Sequence, residues 1–423
     1  MTVHAFTGGA GCGKTHRLMA ALAEHLRVRP LAEGQRVLAL TYMHGSRRRL
    51  EERLALLKLS ARPYECATID SFAAHIVRRW RSLLAMLDLE FPAAADYTGN
   101  TKAAAVLLEQ DAVSRWVALT HPVLVVDEAQ DLDHSRLAII CALARHVELF
   151  IAADEFQCLD EALRTNPSCK WLSEAHAATE LTDPQRTQIP ALLSAARALR
   201  AGAAPASDGP FKIAPGHNIA LAGTILANEL GWYGIRKRVA VITPTAGKFA
   251  NDVVDWITER TSNQGNGPFK IHWERSDDRA RTDYIKQLNL AAEISAEQLN
   301  ASVAAAGDRR VSADVSDYLG KQRRAKGRTV FSAQEIESVI HQSFSNRRRF
   351  GVNDSNGFRA MTVHGAKNRE FDNVVVLWPA AIGGDEEQRR RLLYNAVTRA
   401  KSRCLILVQS KGALAAPPFS YPG

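Results

Sequence analysis

Cysteine is scarce and unpaired in this sequence. The 423 residues include six cysteines, Cys12, Cys66, Cys141, Cys158, Cys169 and Cys404, with no CxxC pair. That argues against a zinc site and against a disulfide frame, and leaves reduced cytosolic thiols as the default. No run of about 18 uncharged apolar residues occurs, so no membrane span is expected. No basic segment leading into an apolar one opens the chain, so no secretory signal is expected and the expected location is cytoplasmic. Internal repeats and long low-complexity tracts are also missing, which excludes a repeat architecture.

What is present is ample core material. Hydrophobic residues make up 46% of the chain and charged residues 23%, a globular composition long enough for two or three domains. Lysine and arginine number 54 against 45 acidic residues, a net charge of +9. Such an excess fits a solvated basic surface or a polyanionic partner, and composition does not decide between them. Basic clusters recur, as "SRRRLEER" from Ser46, "VRRWR" from Val77, "KQRRAKGR" from Lys321, "NRRRF" from Asn346 and "QRRRL" from Gln388.

Along the chain, Val3 to Phe6 reads as a short strand, followed by a glycine loop. A helix then follows with apolar positions at Leu18, Met19, Leu22 and Leu26. "RVLALTY" from Arg36, "VLVVDEAQ" from Val123 and "ELFIAADE" from Glu148 are further strand-like runs. Strands alternating with helices imply a parallel α/β sheet, whose ligands bind at the carboxyl ends of its strands. A second series begins near Arg238 with "RVAVITPT" and continues with "NVVVLW" from Asn373 and "CLILV" from Cys404. Residues 202–215 read as a loop, residues about 275–350 as a polar helical insertion, and the tail "AAPPFSYPG" as frayed.

The stretch "TGGAGCGKTH" carries the first chemistry. Gly8, four residues, then Gly13-Lys14-Thr15 fits a phosphate-binding loop between strand and helix. The backbone of Gly8, Gly9, Ala10, Gly11, Cys12 and Gly13 can turn its N–H groups toward phosphate. Lys14 can neutralise it, Thr15 can ligate Mg²⁺, and His16 borders the site. Asp127 and Glu128 end the apolar run "VLVV". Adjacent carboxylates there are costly unless used. Asp127 fits a metal ligand and Glu128 fits a residue that orients and deprotonates water. Together these features predict a nucleoside triphosphatase using ATP and Mg²⁺.

With the glycine loop "GAGCGKT" from Gly9 and the acidic run "VVDEAQD" from Val125, the sequence resembles the UvrD/Rep-like superfamily 1A DNA helicases. "VVDEAQD" from Val125 looks like their acidic box and the glycine loop like their "GxGKT". "LTYMHGSRRRLEERL" from Leu40 resembles "TFTNKAAxEMxxRL", and "ATIDSFAAHIVRR" from Ala67 resembles "GTFHSFxxxILR". "AADEFQCLD" from Ala152 resembles "GDxxQSIY", and "LTDPQRTQIPALLSAA" from Leu181 resembles "LxxNYRSxxxILxxA". "MTVHGAKNREFDNVVVL" from Met361 resembles "TIHxAKGLEFDxVFL", and "RRLLYNAVTRAKSRCLIL" from Arg390 resembles "RRLLYVAxTRAKxxLxL". The order is kept over nearly the whole chain.

The resemblance implies an α/β fold of two RecA-like P-loop domains with parallel sheets and small helical insertions. Residues 1–185 would form the first, with an insertion at about 81–120, and 186–423 the second, with an insertion at about 275–350. It implies that Arg186 and Arg399 reach the γ-phosphate from the second domain, that Gln157 reads the γ-phosphate or attacking water, and that Glu370 binds near the ribose. Single-stranded or partly duplex DNA would lie across the upper face. There Tyr42 would stack on a base, Thr41, Ser71, Thr362 and His364 would touch phosphates, and Arg48, Arg49 and Arg79 would add sequence-independent attraction.

Several positions depart from the family pattern. Only six residues precede Thr7, so a glutamine-containing segment that reads adenine is not expected. Gln185 stands where the family has a base-stacking tyrosine, so relaxed base selectivity, or completion of the site by a partner, is expected. "CLDEALR" replaces "SIYxWRG", "KNREF" replaces "KGLEF", and Asp70 replaces a histidine. The insertions are much smaller than full 1B and 2B domains. The expected activity is a near-minimal 3′→5′ translocase on single-stranded DNA that unwinds duplex weakly. The alternative is a DNA-sensing regulatory ATPase subunit that gates a partner nuclease in a repair or anti-phage complex, with a faint likeness to the Gabija-type defence helicase.

Overall fold

The computed structural model describes residues 2–42, 44–57, 63–92, 96–175, 178–234, 237–274, 277–350 and 357–420. Six strands build a first, all-parallel sheet: β1 (Val3–Gly8), β2 (Val37–Thr41), β3 (Tyr64–Thr68), β4 (Val123–Val126), β5 (Glu148–Ala153) and β6 (Thr179–Leu181). Their order is β3-β2-β4-β5-β1-β6. The central strands β2 and β4 are buried at every position, because helices cover both faces of a parallel sheet. One face packs on Leu18, Leu22, Leu50 and Leu54, the other on Ile69, Ile76, Leu107 and Ile140. β4 and β5 lie between β1 and β2. This reversal opens a crevice at the carboxyl ends of the strands, where ligands of such sheets bind.

The second sheet is also parallel. Its strands begin with β7 (Phe211–Pro215), β8 (Arg238–Thr243) and β9 (Ile271–Trp273). A separate compact unit interrupts it, formed by residues 92–100 and 275–354. Within that unit β10 (Glu293–Ser295) and β11 (Val330–Ser332) pair antiparallel. Its helices close over Leu299, Val303, Val315, Phe331 and Ile340. The second sheet then resumes with β12 (Gly357–Thr362), β13 (Phe371–Trp378) and β14 (Ala400–Val408), in the order β7-β14-β13-β8-β12-β9. Both six-stranded sheets are parallel, and the fold is α/β as expected.

Two sequence expectations need correction. Residues 202–215 are not all loop, since Phe211–Pro215 pairs with β14 from Cys404↔Phe211 to Val408↔Pro215. Pro215 ends this edge strand, where a missing N–H costs no ladder bond. The tail is held as well. Phe419 is buried and packs edge-on against Trp378 at 5.4 Å between ring centroids. Residues 421–423 and the side chains of the basic cluster at 346–350 lie outside the described residues. No described helix is long and apolar enough to cross a membrane.

Candidate nucleotide site and nucleic-acid face

The glycine loop joins β1 to the helix Lys14–Val28. Gly11 and Gly13 sit at φ 78° and 75°, the left-handed region that favours glycine. A Cβ on Gly11 would stand 2.8 Å from Arg186 Cβ, and one on Gly13 would stand 2.9 Å from Gln185 Cγ. The backbone N–H groups of Gln185 and Arg186 both donate to the Gly11 carbonyl, at 2.6 and 3.1 Å. Gln185 therefore packs on the loop itself. His16 is exposed beside it.

Lys14 is 9% exposed. Its ammonium donates to the carbonyls of Gly8 (3.0 Å) and Gly9 (2.9 Å) and approaches Asp154 at 3.4 Å. Asp154 was not singled out from the sequence, yet it is the hub of the site. Its carboxylate also accepts from Arg200 at 2.8 Å and from Gln157 at 2.7 Å. Burial would raise this acid, but Lys14, Arg200 and Gln157 together hold it below the usual carboxylate range.

Thr15 donates its hydroxyl to Asp127 at 2.9 Å, so the two expected metal ligands are neighbours. Burial and the adjacent Glu128 charge push the Asp127 carboxyl up to about 6, as two crowded carboxylates without a cation should. Glu128 has φ 58°, unusual for a residue with a side chain, and accepts from Gln130 at 2.6 Å. Gln130 in turn accepts from the Asp154 backbone N–H at 2.9 Å.

Residues of the second sheet complete the arrangement. Arg399, just before β14, is 1% exposed. It donates to the Asn395 carbonyl at 2.9 Å and to the Gln157 side-chain oxygen at 3.2 Å. Burial and the nearby Arg186 push its guanidinium down to about 9. No carboxylate among the described residues forms an ion pair with it. Arg186 donates to Glu370 (2.9 Å) and to the Thr398 carbonyl (2.8 Å), and Lys401 pairs with Glu370 at 3.0 Å. Burial would raise Glu370, but Arg186, Lys401 and Arg49 bring it down to about 2.

The helix Glu386–Val397 supplies further contacts that the motifs did not single out. The Tyr394 hydroxyl accepts from the Ala10 backbone N–H at 2.7 Å. Gln388 donates to the Leu159 carbonyl (2.9 Å), Arg391 to Cys158 (3.3 Å) and Asn395 to Phe156 (3.4 Å). These positions share one face of the helix and grip the loop that carries Gln157. The spacing alone resembles any apolar-edged helix, so only the fold shows the grip.

The departures from "KGLEF" also have physical causes. Asn368 takes the left-handed φ of 62° that a glycine would take, and donates to the Ser46 hydroxyl at 2.6 Å. Lys367 pairs with Asp131 at 2.5 Å, with side chains 7% and 8% exposed. Arg369 pairs with Glu274, which also binds Arg359 at 2.7 Å.

On the expected nucleic-acid face, Thr41 ends β2 in a buried position and Tyr42 follows it, 39% exposed. The Tyr42 ring lies 5.2 Å from the guanidinium of Arg136, which itself binds Asp70 at 2.8 Å and pairs with Asp133. Ser71 and Thr68 exchange cap bonds at the start of the helix Ile69–Arg79. Thr362 caps the short helix Val363–Ala366, and His364 is exposed on it. Of the three arginines expected on this face, Arg48 pairs with Glu52 at 3.0 Å and Arg79 lies 5.6 Å from the Trp116 ring. Arg49 instead lies in the field of Glu370, Arg186 and Glu128, beside the nucleotide residues.

Two family models match this chain. Residues 1–162 match an AAA domain, and residues 357–407 match the UvrD-like helicase C-terminal domain. The solved structure of the arterivirus nonstructural protein 10 helicase aligns at 11% identity with a TM-score of 0.42, over 98% of this chain and 61% of that one. The chain thus spans less than two thirds of that protein's length. No curated protein matches. The chain thus resembles the UvrD/Rep-like superfamily 1 helicases, with an AAA domain followed by a UvrD-like helicase C-terminal domain.

Proposed function

We propose, from this superfamily 1 resemblance, that the protein is a DNA-dependent ATPase that moves 3′→5′ along single-stranded DNA and hydrolyses ATP between its two RecA-like halves, residues 1–185 and 186–423. One observation carries the reading: Arg399 is fully buried, lacks an acidic partner among the described residues and bonds to Gln157 in the turn after β5. A buried guanidinium without a counter-charge is costly, and a phosphate anion would relieve that cost.

The residues fit MgATP. The crowded pair Asp127 and Glu128 calls for a cation, and Thr15 with Asp127 would hold Mg²⁺. Lys14 would exchange its carbonyl partners for phosphate oxygens, as would the loop N–H groups. Bound MgATP supplies the phosphoanhydride and the metal's electrostatic stabilisation. Glu128 would orient a water and take its proton. Arg186 and Arg399 would neutralise charge developing at the γ-phosphate. Glu370 would stand near the ribose. Gln157 bonds to Asp154 and Arg399 at once, and so would pass the state of the phosphate to the loop gripped by the helix Glu386–Val397.

Tyr42 would stack on a base, and Thr41, Ser71, Thr362 and His364 would position the backbone of the strand. The test is ATP turnover with and without single-stranded DNA, together with streptavidin displacement from either end. Strong stimulation with displacement from one end only is expected. Stimulation without displacement would instead favour the regulatory subunit that gates a nuclease.

A further inference from the structure

The opposite rim of the first sheet carries a second polar cluster, formed by His4, His25 and Glu148. His4 lies on β1, four residues before the glycine loop, and His25 lies in the last turn of the helix that leaves that loop. Glu148 is the first residue of β5. The three ligand atoms lie within 4.8 Å of one another. His4 Nε2 stands 3.0 Å and His25 Nδ1 stands 4.0 Å from the same oxygen, Glu148 Oε1. We propose that these residues form a binding site for a divalent transition-metal ion of the zinc type.

The geometry fits such an ion. Metal–ligand bonds of about 2.0–2.2 Å place tetrahedral ligand atoms roughly 3.4 Å apart, and the two observed separations bracket that value. Two imidazoles and a carboxylate are a donor set that suits Zn²⁺ and its neighbours. The His4 side chain is 35% exposed, which leaves a solvent-facing direction for a fourth, water ligand.

Both imidazoles are already oriented. The His4 ring stacks flat on Phe150, with centroids 4.5 Å apart and planes at 10°. The His25 ring meets Phe150 edge-on at 5.5 Å. Phe150 is fully buried in the sheet, so it forms a rigid floor. The second carboxylate oxygen of Glu148 accepts from the Thr2 backbone N–H at 3.4 Å, which fixes the carboxylate. Such outer contacts are what hold metal ligands in place.

The site uses no thiolate, so the scattered cysteines do not bear on it. Its ligands are distant in sequence, and the fold alone brings them together. An ion there would tie the strand entering the phosphate loop to the helix leaving it, at their far ends.

The experiment is a Co²⁺ titration of the full chain after chelator treatment, without nucleotide or Mg²⁺, followed by visible absorbance and then by Zn²⁺ competition. One equivalent is expected to give a tetrahedral-type band that Zn²⁺ displaces. His4→Gln and His25→Gln should each weaken Co²⁺ binding at least tenfold, and Asp127→Asn should leave it unchanged. Zn²⁺ should raise the Tm of the native chain but not of the histidine variants. No saturable band on the native chain would overturn the proposal, whatever the variants do. So would a band that survives both histidine changes, or one lost with Asp127→Asn, which would place the ion at the nucleotide site.

Discussion

The Arg399 guanidinium, just before β14, donates to the Gln157 side-chain oxygen, in the turn after β5, across 3.2 Å. Gln157 donates in turn to Asp154, which holds Lys14 and Arg200. The contact is thus one link in a chain from Arg399 to the phosphate-loop lysine. If the two residues act on a γ-phosphate, Arg399→Ala should lower ATP turnover on the order of 10³-fold or more, with a smaller change in nucleotide affinity. Arg399→Lys should not restore turnover, because an ammonium cannot hold Gln157 and meet phosphate in the same planar fork. Steady-state phosphate release beside nucleotide titration checks both.

Asp127 links stability to pH. Its folded value of about 6 lies above the ordinary 3.8. Below pH 3.8 the carboxyl is protonated in both states and nothing is lost. As pH rises through about 6, the folded chain must ionise a crowded carboxyl, and stability falls. The gap corresponds to at most about 3 kcal/mol, and water at this half-buried position reduces it to about 1–2 kcal/mol. Asp127→Asn should therefore raise the Tm of the nucleotide-free protein at pH 7.5, lose that advantage near pH 4, and abolish hydrolysis. Thermal melts across pH would show the crossover. Equal melts at pH 7.5 would refute it.

The places where sequence and structure part are ordered. The runs at Val37, Val123, Glu148, Arg238, Asn373 and Cys404 were legible as strands because parallel strands buried on both faces read as continuous apolar stretches. β3, β6, β7 and β9 were not, and they are the four edges of the two sheets. Half-paired strands such as "YECAT" and "TEL" are short and mixed in burial. β12 was hidden by Arg359, whose charge is met by Glu274 across the chain. In the site, the motif residues were legible because their spacing is local. Asp154, Arg200 and Tyr394 were not, since their importance lies in partners 46 to 384 residues away.

The pair Lys367–Asp131 joins the segment after β12 to the turn after Glu128. Both side chains are nearly buried, so removing one leaves the other charge without a partner. Lys367→Met should cost about 3–5 kcal/mol, whereas Lys367→Met with Asp131→Leu should recover most of that loss. Urea denaturation of the two single variants and the double variant measures the coupling. An additive result would mean the pair is screened and contributes little.

Tyr42 distinguishes stacking on nucleic acid from packing within the fold. The residue is 39% exposed, and its ring lies 5.2 Å from the Arg136 guanidinium. Arg136 is in turn fixed by Asp70 and by Asp133. The ring is thus held just after β2 by Arg136, on a residue open to solvent. Base stacking contributes about 1–3 kcal/mol per base. Tyr42→Ala should therefore weaken binding of an oligothymidine about 5- to 150-fold at fixed salt, and Tyr42→Phe should retain it. If packing alone were the role, Tyr42→Ala would lower the Tm and leave affinity unchanged. Fluorescence anisotropy at two salt concentrations also separates stacking from charge. Tyr42→Ala should shift the binding curve equally at both concentrations, because no phosphate contact is lost and the salt slope stays the same.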